Sequence, residues 1–69
     1  MKILYTIVQD AADWQSLTSG RDNTRWFHDA DCTRPATIAE ADAASEDIYT
    51  DAGWNIQPTK FPALAHIEV

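Results

Sequence analysis

The stretch most able to do chemistry is "HDADC", His28 to Cys32, which sets an imidazole, two carboxylates and a thiol within five positions. Those atom types can hold a metal, but structural zinc takes four Cys or His ligands in paired spacings, and only His66 remains elsewhere to complete a set. No cofactor or metal is expected. As a nucleophile, Cys32 would need a lowered pKa, whereas Asp29 and Asp31 beside it oppose the thiolate and only Arg34 favours it. The serines stand in no spacing that marks a triad, and His66, alternating with Leu64 and Glu68, reads as a rim residue. The expectation is a protein that is not an enzyme.

A second set of reactive groups is electrostatic. "TIAEADAASEDIYTDAG", Thr37 to Gly53, holds five acids and no base. Thr37 with Glu40 forms a T-x-x-E capping box and Gly53 supplies a C-terminal stop, so the spacing predicts one helix across the stretch. At 100° per residue, Ile38, Ala41, Ser45, Ile48, Tyr49 and Ala52 form an apolar stripe. Glu40, Asp47 and Asp51 fall within roughly 40° of each other on the opposite side, with Asp42 and Glu46 paired i,i+4 on a flank. Like charges one turn apart cost about 0.2 to 0.5 kcal/mol each, so stability does not account for the row. Its repeats of one and two turns are comparable to phosphate spacing along a nucleic acid. Two readings stand: a solvated face that keeps a small chain soluble, or a surface for a basic partner, with Glu40, Asp42, Glu46, Asp47 and Asp51 as contacts and Tyr49 and Trp26 as anchors at its edge.

The chain must position these groups with little material. Its 69 residues make one domain, spanning 1–69, and a chain of this size buries only about 60% of its unfolded surface. Homodimerisation would add core, so monomer and homodimer both stay open. Eleven acids against five bases give a net charge of −6, which repels phosphate and disfavours direct nucleic-acid binding. A basic protein or nucleoprotein complex is the expected partner. The single Cys32 excludes an internal disulfide and points to a reducing, cytoplasmic setting. The run "ILYTIV" is too short for a signal-peptide core, and no stretch is long enough to span a bilayer, so no membrane association is expected.

"KILYTIVQ", Lys2 to Gln9, is β-branched and apolar on both alternating faces and reads as an interior strand. "DAADWQSLTSGRDN" reads as a long loop or wide hairpin connection with Gly20 near its tip, and "TRWFH", Thr24 to His28, as a second strand. There, one of Trp26 and Phe27 must face away from the core. Trp14 and Trp54 are expected inside. After the helix, Trp54 to Gln57 and Ala63 to Glu68 read as strands around a turn with Pro58 and Pro62. The resulting class is α+β, a small two-layer sandwich of ββαβ or ββαββ order: an antiparallel sheet of three to four strands with one helix.

In size, acidity, single-domain organisation and the row Glu40, Asp47, Asp51, the chain is similar in kind to the small acidic inhibitors of bacterial viruses, in particular anti-CRISPR proteins, several of which imitate DNA. That resemblance implies a non-enzymatic decoy acting in the host cytoplasm, its acidic helix seated in a basic nucleic-acid groove. The passage "CTRPATIAEADAASEDI" also looks like the strand-to-helix crossing of HicB-type antitoxins, although that family's preceding glycine and proline pattern is missing. This second resemblance implies a homodimeric regulatory module that uses a strand edge.

Overall fold

The computed structural model describes residues 2–20, 22–44, 47–51 and 53–69. In chain order the elements are β1 (Ile3–Val8), α1 (Ala11–Gly20), α2 (Ile38–Asp42), β2 (Ile48–Thr50), β3 (Gly53–Trp54) and β4 (Ala63–Glu68). The strands form one antiparallel sheet ordered β1-β4-β2-β3, so the fold is α+β, as expected. Among the described residues, no helix is long and apolar enough to cross a membrane.

β4 is the interior strand, flanked by β1 from Ile3↔Glu68 to Val8↔Ala63 and by β2 from Ile48↔Ile67 to Thr50↔Ala65. β1 was expected inside the sheet and instead lies at its margin. Its apolar character on both faces has a different cause: the outer edge is covered by the chain around Phe27, which exchanges two backbone hydrogen bonds of 2.8 Å with Tyr5. Phe27 bridges onward to Pro35. "TRWFH" is therefore not a strand: Phe27 alone makes isolated bridges, to Tyr5 on one side and to Pro35 on the other.

The expected loop after β1 is helix α1. Asp10 Oδ1 accepts from Asp13 N at 2.7 Å, and Asp13 Oδ2 accepts from Gln9 N at 2.8 Å, which satisfies donors at the helix start. Trp14 and Leu17, one turn apart, then bury against the sheet.

The long helix across 37–53 does not form. The capping box does: Thr37 Oγ1 accepts from Glu40 N at 3.1 Å, and Thr37 N donates to Glu40 Oε1 at 3.0 Å. The helix stops after Asp42, with Ala43 as its C-cap. Ile48, Tyr49 and Thr50 are β-branched or aromatic, and as β2 they pair with β4 while burying Ile48 and Thr50. Tertiary pairing thus outweighs a helical pattern already weakened by like charges. Ser45, Glu46 and Ala52 of that pattern lie outside the described residues. Of the expected strand Trp54–Gln57, only Trp54 belongs to β3.

One sheet face carries the core: Leu4, Thr6 and Val8 of β1, Ala65 and Ile67 of β4, and Ile48 and Thr50 of β2. Trp14, Leu17, Ala41 and Trp26 close over it. The two buried hydroxyls are satisfied: Thr50 donates to Gly53 O at 2.9 Å, and Thr6 accepts from Arg25 Nε at 3.4 Å.

Candidate binding surface

Side-chain alternation puts the remaining strand residues on the other face: Ile3, Tyr5 and Ile7 of β1, Leu64, His66 and Glu68 of β4, Tyr49 of β2 and Trp54 of β3. Residues directly opposite across an antiparallel pair share a face. The register Tyr5↔His66, Tyr49↔His66 and Tyr49↔Trp54 therefore lines up four rings across all four strands. Tyr49 and His66 stack at 5.2 Å between centroids with planes 14° apart. Tyr49 and Trp54 stack at 5.8 Å and 20°. Tyr5 meets His66 at 6.2 Å with a 43° tilt. Such pairs contribute about 0.5–1.5 kcal/mol each beyond their burial, so the row is ordered before any ligand arrives.

The row ends at Trp54, which is 58% exposed because β3 has no outer neighbour in the sheet. Trp54 was expected in the core and is the most open tryptophan; the two-residue strand that carries it is too short to bring a helix over it. On the far side the row ends at Tyr5, whose backbone pairs with Phe27. The expected anchor Trp26 points the opposite way. It is 4% exposed, packs in the core, and donates its Nε1–H to Asp22 O at 3.0 Å, so it cannot serve as a surface contact.

Charge on this face is one-sided. None of the strand residues on it is a Lys or Arg, and its carboxylate is Glu68. The Glu68 carboxylate has no hydrogen-bond or ion-pair partner among the described residues. Partial desolvation pushes the Tyr49 phenol above its ordinary value, and the negative charges of Glu68 and Asp47 push it further.

The other expected contacts scatter. Glu40 on α2 is occupied: it closes the capping box, lies 3.0 Å from His28 Nε2 and 3.5 Å from Lys2 Nζ, and is held at about 2, chiefly by the Thr37 backbone N–H. Asp42 is exposed and accepts from the Asn23 side chain. Asp47 and Asp51 are exposed on either side of β2, two residues from Tyr49 in each direction and about 13 Å apart along an extended chain. The helical row Glu40, Asp47, Asp51 is thus broken: its first member sits on α2 and the other two bracket a strand. Glu46 is outside the described residues.

Several acids have local structural work. Asp10 and Asp13 start α1; Asp22 accepts from Thr24 N at 3.0 Å; Asp29 accepts from Thr33 N at 3.0 Å and Arg34 N at 2.9 Å and closes the loop that holds Cys32. Burial, then Asp29 and Asp31, push the Cys32 thiol up, which opposes nucleophilic use. Among the described residues, no three His, Cys, Asp or Glu side chains group as a metal site requires. Beside the core, an open cleft of about 370 Å³ has Leu17, Trp26 and Ile48 on its floor and Asp22, Asp42 and Asp47 on its rim.

Of these four rings the sequence singles out only Tyr49 as a contact; His66, Trp54 and Tyr5 come beside it only through the strand order. Comparison with known proteins finds no match: no family model, no curated protein and no solved structure.

Proposed function

We propose that the chain is a non-enzymatic inhibitor that binds a basic, nucleic-acid-binding surface of a larger complex, and that it does so with the open face of its sheet and the acids around β2, not with an acidic helix. The observation that carries this reading is the ring row Tyr5, His66, Tyr49, Trp54: a preordered aromatic surface whose strand residues include no Lys or Arg, in a chain of net charge −6. The long-range negative field speeds encounter with a basic target and disfavours acidic ones, while the rings supply the desolvated contacts that hold it. Less supports the strand-edge dimer. β1 is covered at Tyr5 by Phe27 and at the Ile7 carbonyl by Arg25, and the opposite margin is a two-residue strand.

The test is capture from a nuclease-treated bacterial lysate with the native chain and with a folded Tyr49→Ser, Trp54→Ser variant, followed by nucleic-acid binding by the captured complex. The expected result is a basic complex retained by the native chain, lost by the variant, eluted by salt, and unable to bind its nucleic acid while the inhibitor is present. Equal capture by both baits, or a captured complex that still binds nucleic acid, would overturn the reading.

A further inference from the structure

The open sheet face is uncovered among the described residues, and its chemistry restricts what can cover it. A second copy of this chain would bring another net charge of −6 and a second Glu68 against the first, so self-association through this face is opposed by charge. A single-stranded nucleic acid could stack its bases on the rings, but its phosphates would meet the same negative field with no Lys or Arg on the strands of this face to accept them. An aliphatic side chain would cover the rings and leave Glu68 without a counter-charge.

A guanidinium meets both features. It is planar, stacks on aromatic faces and donates two parallel hydrogen bonds to a carboxylate, whereas an ammonium is a strongly hydrated point charge that stacks poorly. The column His66, Tyr49, Trp54 ends at the exposed ring of Trp54, where a further plane can be added in the same direction. Glu68 lies two strands away, on β4, and two residues beyond His66, which is in line with Trp54, a separation of about 12 Å. An extended chain spans that distance in about four residues.

From this arrangement we infer that the open face is a site for an arginine-bearing basic segment of the partner protein, one arginine stacking on Trp54 and a second basic side chain reaching Glu68. This assignment rests on the proposed function above and adds the chemistry of the contact. His66 and Tyr49 act as the wall that fixes the Trp54 ring, and Glu68 selects for positive charge at the other end.

The probes are nona-arginine, nona-lysine and an oligothymidylate, each titrated into the intact chain and followed by backbone and Trp54 side-chain NMR shifts at low and moderate salt. Nona-arginine is expected to shift Trp54, Tyr49, His66 and Glu68 together and to bind about tenfold more tightly than nona-lysine. Trp54→Ser is expected to remove that preference, and Glu68→Gln to weaken both peptides while leaving the preference in place; each variant is first shown to keep the native circular dichroism. Equal binding of the two peptides, shifts that avoid this face, binding of oligothymidylate to the same residues, or no binding at all would each overturn the inference. If nona-arginine fails while the native chain still captures a complex that the ring variant loses, only the arginine assignment falls; if capture fails as well, the proposed function falls with it.

Discussion

Arg25 holds Asp13 with both of its terminal nitrogens, Nη2 lying 2.8 Å from Oδ2, and the same Nη2 donates to the Ile7 carbonyl at 2.5 Å. One ion pair thereby ties the start of α1 to the C-terminal end of β1 and to the loop that carries Trp26. The Asp13 carboxyl is lowered to about 2, first by Arg25 and then by the Gln9 backbone N–H.

Replacing Asp13 with Ala is therefore expected to cost more than removal of a surface charge. It strips a half-buried guanidinium of its partner and removes a cap from the start of α1, a loss of about 2 kcal/mol. In a domain of this size that lowers Tm by roughly 10 °C. Asp31→Ala, at an exposed acid with no cap or turn to close, should stay within about 0.5 kcal/mol of the native chain in urea unfolding at neutral pH. Equal midpoints for the two variants would remove the pair from the stability of the fold.

Acid should unfold the protein over a defined window. Asp13 and Asp29 are lowered from 3.8 to about 2, and Glu40 from 4.5 to about 2; Asp29 owes this first to the Thr33 hydroxyl and then to the Arg34 backbone N–H. A carboxyl whose folded pKa lies below its unfolded value stabilises the fold fully above the unfolded value and loses that contribution as pH falls through the folded one. Thermal midpoints are expected to be level from neutral pH to about 5 and to drop between about 4.5 and 2. Asp29→Asn should flatten that drop. A midpoint at pH 2.5 equal to that at pH 7 would contradict all three assignments.

The three tryptophans should separate cleanly. Trp14 and Trp26 are buried, and Trp54 stands in solvent. Acrylamide is expected to quench one emission component in the native chain and almost none in Trp54→Phe. Trp26→Ala should remove about 3–5 kcal/mol, most of the stability of a chain this small, while Trp54→Ala should leave the chain folded. If Trp26→Ala unfolded no more readily than Trp54→Ala, the assignment of Trp26 to the core would be wrong.

How much of this was legible in the sequence follows from the range of the forces involved. β1 was readable because "ILYTIV" is rich in β-branched and apolar residues, β4 because "ALAHIE" alternates apolar Ala65 and Ile67 with polar His66 and Glu68, and the box of Thr37 and Glu40 because its two residues stand three apart. Helix α1 was missed because its start signal uses Asp at both capping positions, in a stretch otherwise rich in turn formers. The helix over 37–53 stops after Asp42, and at Ile48 a residue placed equally well by a period of 3.6 or of 2 goes to the strand, since β4 is there to pair with it. The ring row could not be read at all: Tyr5, Tyr49, Trp54 and His66 meet only because the order is β1-β4-β2-β3, and that order is a property of the assembled sheet.

Gly53 gives the sharpest test of the β2–β3 turn that sets Trp54 beside Tyr49. Its φ is +141°, a conformation that L side chains rarely adopt, and a Cβ built there would lie 3.2 Å from Ile56 Cδ1. Alanine would have to move that side chain and also carry the backbone strain, a combined cost of about 1–3 kcal/mol. Because Gly53 pairs with Thr50 and is followed directly by Trp54, the strain falls on the pairing Tyr49↔Trp54. Gly53→Ala is therefore expected to lower the unfolding midpoint and to shift the Tyr49 and Trp54 ring protons together, leaving Tyr5 and His66 little changed. A variant as stable as the native chain, or one whose shifts spread evenly along the row, would mean that the turn does not depend on this glycine and that the row is held from the β4 side alone.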